Sequence, residues 1–145
     1  YLLLDFPVKL KALQADSPRE FGEMSVVQML DHLRKAFVLS YSGMEVEMTT
    51  PPEFIEKSQA FLASDKPILP GAKIPKEYGT IPDKSEDFEE MKYQLLKAMV
   101  GMLAFYENNP DFKQGHPIFG ELSIKQWLQL HKKHTEHHLR QFGVD

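Results

Sequence analysis

The chain has 145 residues, one domain's worth of sequence, and a folded chain of that size buries roughly 68–70% of the surface its unfolded form exposes. With 42% hydrophobic and 26% charged residues, a net charge of −4 and a pI near 5.9, it carries no global field that would invite nucleic acid or an acidic membrane surface. The absence of cysteine excludes disulfides, cysteine nucleophiles, thiolate zinc sites and iron–sulfur clusters, so a bound metal must take nitrogen and oxygen ligands.

In chain order, Leu3, Leu4, Phe6, Leu10 and Leu13 recur at loosely helical spacing over residues 1–14 and predict a first helix, which Pro7 weakens unless it sits in the first turn. Asp16-Ser17-Pro18 then makes a turn. Ser25 followed by Gln28 is a capping-box pattern and opens a second helix. Val26, Met29, Leu30, Leu33, Phe37 and Tyr41 form its apolar stripe, and Gly43 stops it. Gln28, Asp31, Arg34 and Lys35 read as its wet face, with His32 at the border.

Periodicity dissolves from Met44 to Lys84, where six of the ten prolines fall. Pro51-Pro52 can start a short helix through Phe61, with Phe54, Ile55 and Phe61 turned inward. The remainder, including Pro70-Gly71 and Tyr78-Gly79, reads as a long loop. Such loops are commonly functional or cross over a fold, and Phe61 and Tyr78 are candidates to line a pocket.

A strong helix is predicted from Ser85 to Tyr106. Glu86, Asp87, Glu89 and Glu90 favour its positive end, and Phe88, Met91, Leu95, Met99, Met102 and Phe105 or Tyr106 make its buried stripe. The last helix begins at Ser123, with Gln126 as capping partner, and runs to Gln141 or Phe142 before Gly143. No strand pair is evident. The reading is an all-α bundle of four main helices in a single domain spanning residues 1–145. The opening Tyr1-Leu2-Leu3-Leu4 is stopped by Asp5 and Pro7, and no apolar run nears the ~18 residues of a membrane span. A cytoplasmic location is expected, although a chain starting at Tyr1 leaves an upstream targeting segment open.

The histidines stand out. Five of six lie in the last thirty residues: His116, in the loop before the last helix, then His131, His134, His137 and His138. Projected at about 100° per residue, Lys125, Gln126, Gln129, Lys132, Lys133, Glu136 and Arg140 fall on one face. Ile124, Trp127, Leu128, Leu139 and Phe142 fall on the other, with His131, His134 and His138 among them and His137 at the edge. His134 and His138, spaced i, i+4, lie with Cβ atoms roughly 5–6 Å apart and can converge on one ion. A third ligand must come from elsewhere; outside this cluster only His32 lies on a helix. A zincin is argued against, because Glu136 is one place too late after His134 and points to the wet face. Neither a nucleophile elbow nor a phosphate-binding glycine loop occurs.

His134-x-x-His137-His138-x-x-Gln141, with a lone His on the second helix, resembles the DinB-like metalloprotein superfamily. The segments Phe21-Gly22-Glu23-Met24 through Gln28-Met29 to His32, and His116-Pro117 through Trp127 to Gly143, resemble one uncharacterised branch of it, and together the resemblance covers about residues 20–143. It implies a DinB-like four-helix bundle with a long crossover between helices two and three. It also implies a divalent metal ion (nickel, zinc or iron) held by His32, His134 and His138, while His137 and Gln141 orient the site or pack the neighbouring helix. His131 lies outside that pattern and reads as a supporting or core histidine. Three nitrogens leave positions open, as catalytic sites do. The resemblance therefore implies a metal-dependent transferase or hydrolase acting on a small thiol-type molecule, or else a non-catalytic binding or stress-related module with a structural or vestigial metal. It allows a homodimer. No acid or base is assignable, since Asp31 reads as wet.

Overall fold

The computed structural model describes residues 1–70 and 87–145. The expectations that fall on Gly71, Pro75, Tyr78-Gly79, Pro82, Ser85 and Glu86 lie outside the described residues. The described chain is mostly helical: α1 is Asp5–Ala12, α2 Val26–Leu39, α3 Ile55–Ala63, α4 Phe88–Asn108 and α5 Ile124–Arg140. A one-turn 3-10 helix, Pro52–Phe54, leads into α3.

The two expected capping boxes form. Ser25 accepts from the Gln28 N–H at 3.2 Å while the Ser25 N–H donates to Gln28 Oε1 at 2.9 Å. Ser123 and Gln126 repeat the exchange at 3.4 and 3.0 Å. Each box satisfies backbone donors that the helix start leaves orphaned, a contribution of about 1 kcal/mol. These two helices carry the histidines, so the register of both is set locally at their first residue. Pro7 sits in the first turn of α1, where it is tolerated, and Leu3 and Leu4 precede that helix and are exposed.

A small sheet corrects the all-α expectation. β1, Gln114–His116, pairs antiparallel with β2, Gly120–Leu122, with Gln114 opposite Leu122 and His116 opposite Gly120. Neither strand exceeds three residues, too short for period-two alternation to be visible in the sequence. The hairpin is tied to α5 by Trp127, whose Nε1–H donates to the Gln114 carbonyl at 3.2 Å.

α2 lies centrally, packed against α4 on one side and α5 on the other, while α1 and α3 both rest on α5. One core includes Phe6 and Leu10 of α1, Met29, Leu33 and Phe37 of α2, Leu95 and Met102 of α4, and Trp127 and Leu139 of α5. Such a position leaves α2 without a wholly wet face. Asp31, expected in water, is 2% exposed and holds Arg34 Nη2 at 2.8 Å and Lys35 Nζ at 3.0 Å. The two partly buried cations reach back along the helix and cover the carboxylate, which offsets its desolvation.

α5 departs from its projection in the same way. Lys133 is 8% exposed, not solvated: its Nζ donates to the carbonyls of Ser64 at 2.6 Å and Lys66 at 2.5 Å and stands 4.8 Å from the Phe61 ring centre. α3 covers that side of α5, and the ammonium holds the C-cap carbonyl of α3 and one just beyond it. Leu128, expected inward, is exposed, and Phe54, also expected inward, is 52% exposed because the 3-10 turn that carries it lies at the surface. Leu62 takes the buried place instead.

Candidate metal centre

Three imidazoles meet where α2 crosses α5. His32 comes from α2; His134 and His138 come from successive turns of α5. One nitrogen from each ring lies within 4.8 Å of the others. His32 Nε2 stands 2.8 Å from His134 Nε2. The rings are mutually edge-on, with centroids 4.8 Å apart for His32–His134, 4.7 Å for His32–His138 and 4.7 Å for His134–His138. The i, i+4 spacing of His134 and His138 accounts for their half of this arrangement. The third ring requires α2 to cross at His32, which is 102 residues away in sequence from His134.

His32 and His138 are buried, and His134 is partly exposed. Burial lowers the pKa of all three. His32 is lowered to about 4 by desolvation, against the neighbouring Asp31 carboxylate, which works to raise it. His138 is lowered to about 3 by desolvation and by His32, while its bond to Gln141 acts the other way. His134 falls well below its ordinary value through desolvation and the nearby His138 and His32. All three rings are neutral near pH 7, the state in which imidazole ligates metal.

Gln141, just past the end of α5, holds one of the rings. Its Oε1 accepts from His138 Nδ1–H at 2.7 Å, which leaves His138 Nε2 to the cluster. His137, expected at the edge of the apolar face, is buried, and its Nδ1–H donates to the Ile68 carbonyl at 3.1 Å, outside the cluster. Gln141 therefore orients a cluster histidine, while His137 fastens the segment after α3 to α5 through Ile68.

His131 and His116 extend the histidine row away from the cluster without joining it. His131 is stacked between Phe37, at 4.1 Å, and Trp127, at 5.4 Å. Its Nε2 is buried with no hydrogen-bond partner among the described residues. Desolvation lowers it to about 3, with His116 adding to the effect. His116 lies in β1 rather than in a loop; its Nδ1 accepts from the Ile118 N–H at 3.0 Å, and its edge packs on Trp127. Sequence projection put His131 as deep as the other two, correctly, but could not show that aromatic rings occupy both its faces.

A cavity of about 710 Å³ lies between α2 and the extended segment 44–49, and no histidine of the cluster lines it. Arg34, Lys35, Val38, Met44, Val46 and Met48 are among its walls. Among the described residues, no helix is long and apolar enough to cross a membrane.

The fold and the cluster define a mostly helical protein with three neutral, convergent imidazoles at a helix crossing. Residues 3–144 match the family described as "Protein of unknown function (DUF1569)", and the chain belongs to that family. No curated protein and no solved structure matches it.

Proposed function

We propose that His32, His134 and His138 hold one divalent metal ion (nickel, zinc or iron) and that the protein is a metal-dependent transferase or hydrolase acting on a small thiol-type molecule. The observation that carries the reading is the gathering of one nitrogen from each of three imidazoles within 4.8 Å of one another. Their chemistry fits a cation. The two Nε2 atoms of His32 and His134, 2.8 Å apart, point their electron pairs at each other unless a proton or a cation stands between them. The arrangement of α1, α2, α4 and α5, with α3 in the crossover, supports a DinB-like four-helix bundle carrying that site.

A metal ion held by these three residues would supply Lewis-acid chemistry to a thiolate or a water. The residues do the rest. The three neutral rings bind without adding negative charge, and no carboxylate among the described residues completes the set. Asp31, the acid next to His32 in sequence, has its carboxylate engaged by Arg34 and Lys35. No carboxylate among the described residues compensates the bound charge, which favours an anionic ligand such as a thiolate. The partial exposure of His134 supports access for a small molecule. This reading involves a small-molecule substrate rather than nucleic acid or a membrane, in a cytoplasmic protein that acts alone or as a homodimer.

Elemental analysis of the purified protein tests the metal, with one divalent ion per chain expected. Substituting Co²⁺ and adding a small thiol tests the ligand class. A change in the cobalt absorption is expected, and an unchanged spectrum rejects the thiol reading. The burial of His32 and His138 favours a second reading, a non-catalytic binding or stress-related module whose metal is structural. Chelation separates the two, because only a structural metal is needed for the helices to stay folded.

A further inference from the structure

The segment ahead of α2 reaches the far end of α5 at the residue that orients a cluster histidine. Gly22 has φ of 85°, a conformation open to glycine and costly for residues with a Cβ. A Cβ at this position would stand 2.6 Å from Gln141 Nε2. The neighbouring Glu20 N–H donates to the Gln141 carbonyl at 2.6 Å, so backbone and side chain of Gln141 are both set against this loop. The amide so placed turns its oxygen toward His138 Nδ1, 2.7 Å away, and its nitrogen toward Gly22.

A glutamine amide can offer an oxygen or an NH₂ group, and the choice dictates which imidazole nitrogen carries the proton. An oxygen facing Nδ1 requires the proton there and frees the Nε2 electron pair. An NH₂ group facing Nδ1 would put the proton on Nε2, where it would block the cluster. The space over Gly22 is the space in which the amide nitrogen lies.

We infer that Gln141 and Gly22 are positioning residues for His138: Gln141 fixes its tautomer, and Gly22 keeps clear the volume that lets the Gln141 amide point its oxygen inward. The consequence for metal affinity rests on the metal-centre reading, whereas the tautomer does not. Because the loop at residues 20–22 leads directly into the helix carrying His32, the same short segment serves both histidine-bearing helices.

The test has two readouts. ¹⁵N NMR of the histidine rings in the metal-free chain reports the His138 tautomer, and zinc titration reports affinity. The parent should show His138 protonated on Nδ1. Gln141→Leu should lose that preference and weaken zinc binding by roughly 10–100-fold, the usual effect of removing an outer partner of a ligating histidine. Gln141→Glu keeps an acceptor oxygen and should restore both the tautomer and the affinity. Gly22→Ala should move toward Gln141→Leu in both readouts. Gly22→Asn, which tolerates a positive φ better, should do the same and so separates crowding from backbone strain. A parent His138 protonated on Nε2 overturns the inference, as does a Gln141→Leu chain with parental tautomer and affinity. Gly22 variants identical to the parent remove Gly22 from it. A parent that binds no zinc defeats the metal reading and leaves the tautomer comparison to decide this one.

Discussion

His32 Nε2 and His134 Nε2 face one another at 2.8 Å across the crossing of α2 and α5. Burial makes both rings weak bases, so near neutral pH the pair shares a single proton unless a cation takes its place. Replacing either with Ala removes the bridge and, on the metal reading, a ligand with it. Zinc titration of His32→Ala, His134→Ala and His138→Ala should show affinity losses larger than the ~10–100-fold cost of losing an outer partner. Parental zinc affinity in any of the three would reject that residue as a ligand.

Chelation should lower stability without unfolding the protein, because the core runs through all the helices apart from the cluster. A ligand present at 100 times its Kd contributes about 2.7 kcal/mol, and for a chain near 150 residues each kcal/mol moves Tm by roughly 2–4 °C or somewhat more. A fall of about 5–15 °C, with helical circular dichroism retained at room temperature, is expected of a catalytic site on a self-sufficient fold. Collapse of the helical signal on chelation would favour the structural-metal module instead.

Stability of the metal-free chain should fall with acid. The folded pKa values of His116 and His131, about 4 and 3, lie below the unfolded value near 6.5. Between those limits the unfolded chain binds protons that the folded chain refuses, so stability is full above about pH 6.5 and declines as pH drops toward 3–4. Each histidine titrating fully in this way adds a slope of about 1.4 kcal/mol per pH unit. Urea unfolding at pH 7.5, 6 and 5 checks this, and equal midpoints would contradict it.

His131→Phe should flatten that slope and leave the fold intact. The new ring keeps the stack between Phe37 and Trp127 and removes a buried nitrogen that has no partner among the described residues. An unpaired buried polar group costs about 1–3 kcal/mol, so a neutral to modestly raised Tm is expected. A drop of several degrees would mean that His131 Nε2 serves a partner after all.

Lys133→Met should destabilise the chain by about 1–3 kcal/mol. It keeps most of the buried stem and deletes the charge-assisted bonds to the Ser64 and Lys66 carbonyls. Hydrogen exchange should quicken near the end of α3 more than in α2, and uniform protection in both would argue that the ammonium is incidental.

Much of the frame was legible because its determinants are local. The Ser25–Gln28 and Ser123–Gln126 boxes lie within single turns, and both formed at the expected residues. The hydrophobic stripe of α4 gave its buried residues, with Ala98 added and Met91 half-covered. The hairpin escaped because three-residue strands leave no period to detect. Asp31 and Lys133 were misplaced because helical projection gives direction, not what stands there; α2 and α5 each meet neighbours on more than one side.

The sequence by itself determined that His134 and His138 share one side of a helix, because one turn of backbone hydrogen bonding joins them. It also determined that any metal site must do without thiolate ligands, because the chain has no cysteine. Periodicity alone could not choose among His131, His134 and His138; the resemblance to a known superfamily did, and it supplied His32. Tertiary structure decided what stands next to each. His32 completes the cluster only where two helices cross, His131 is enclosed by Phe37 and Trp127, and Gln141 meets Gly22 from the opposite end of the chain. Those contacts join residues distant in sequence, and packing of the whole core sets their distances, which no local pattern encodes.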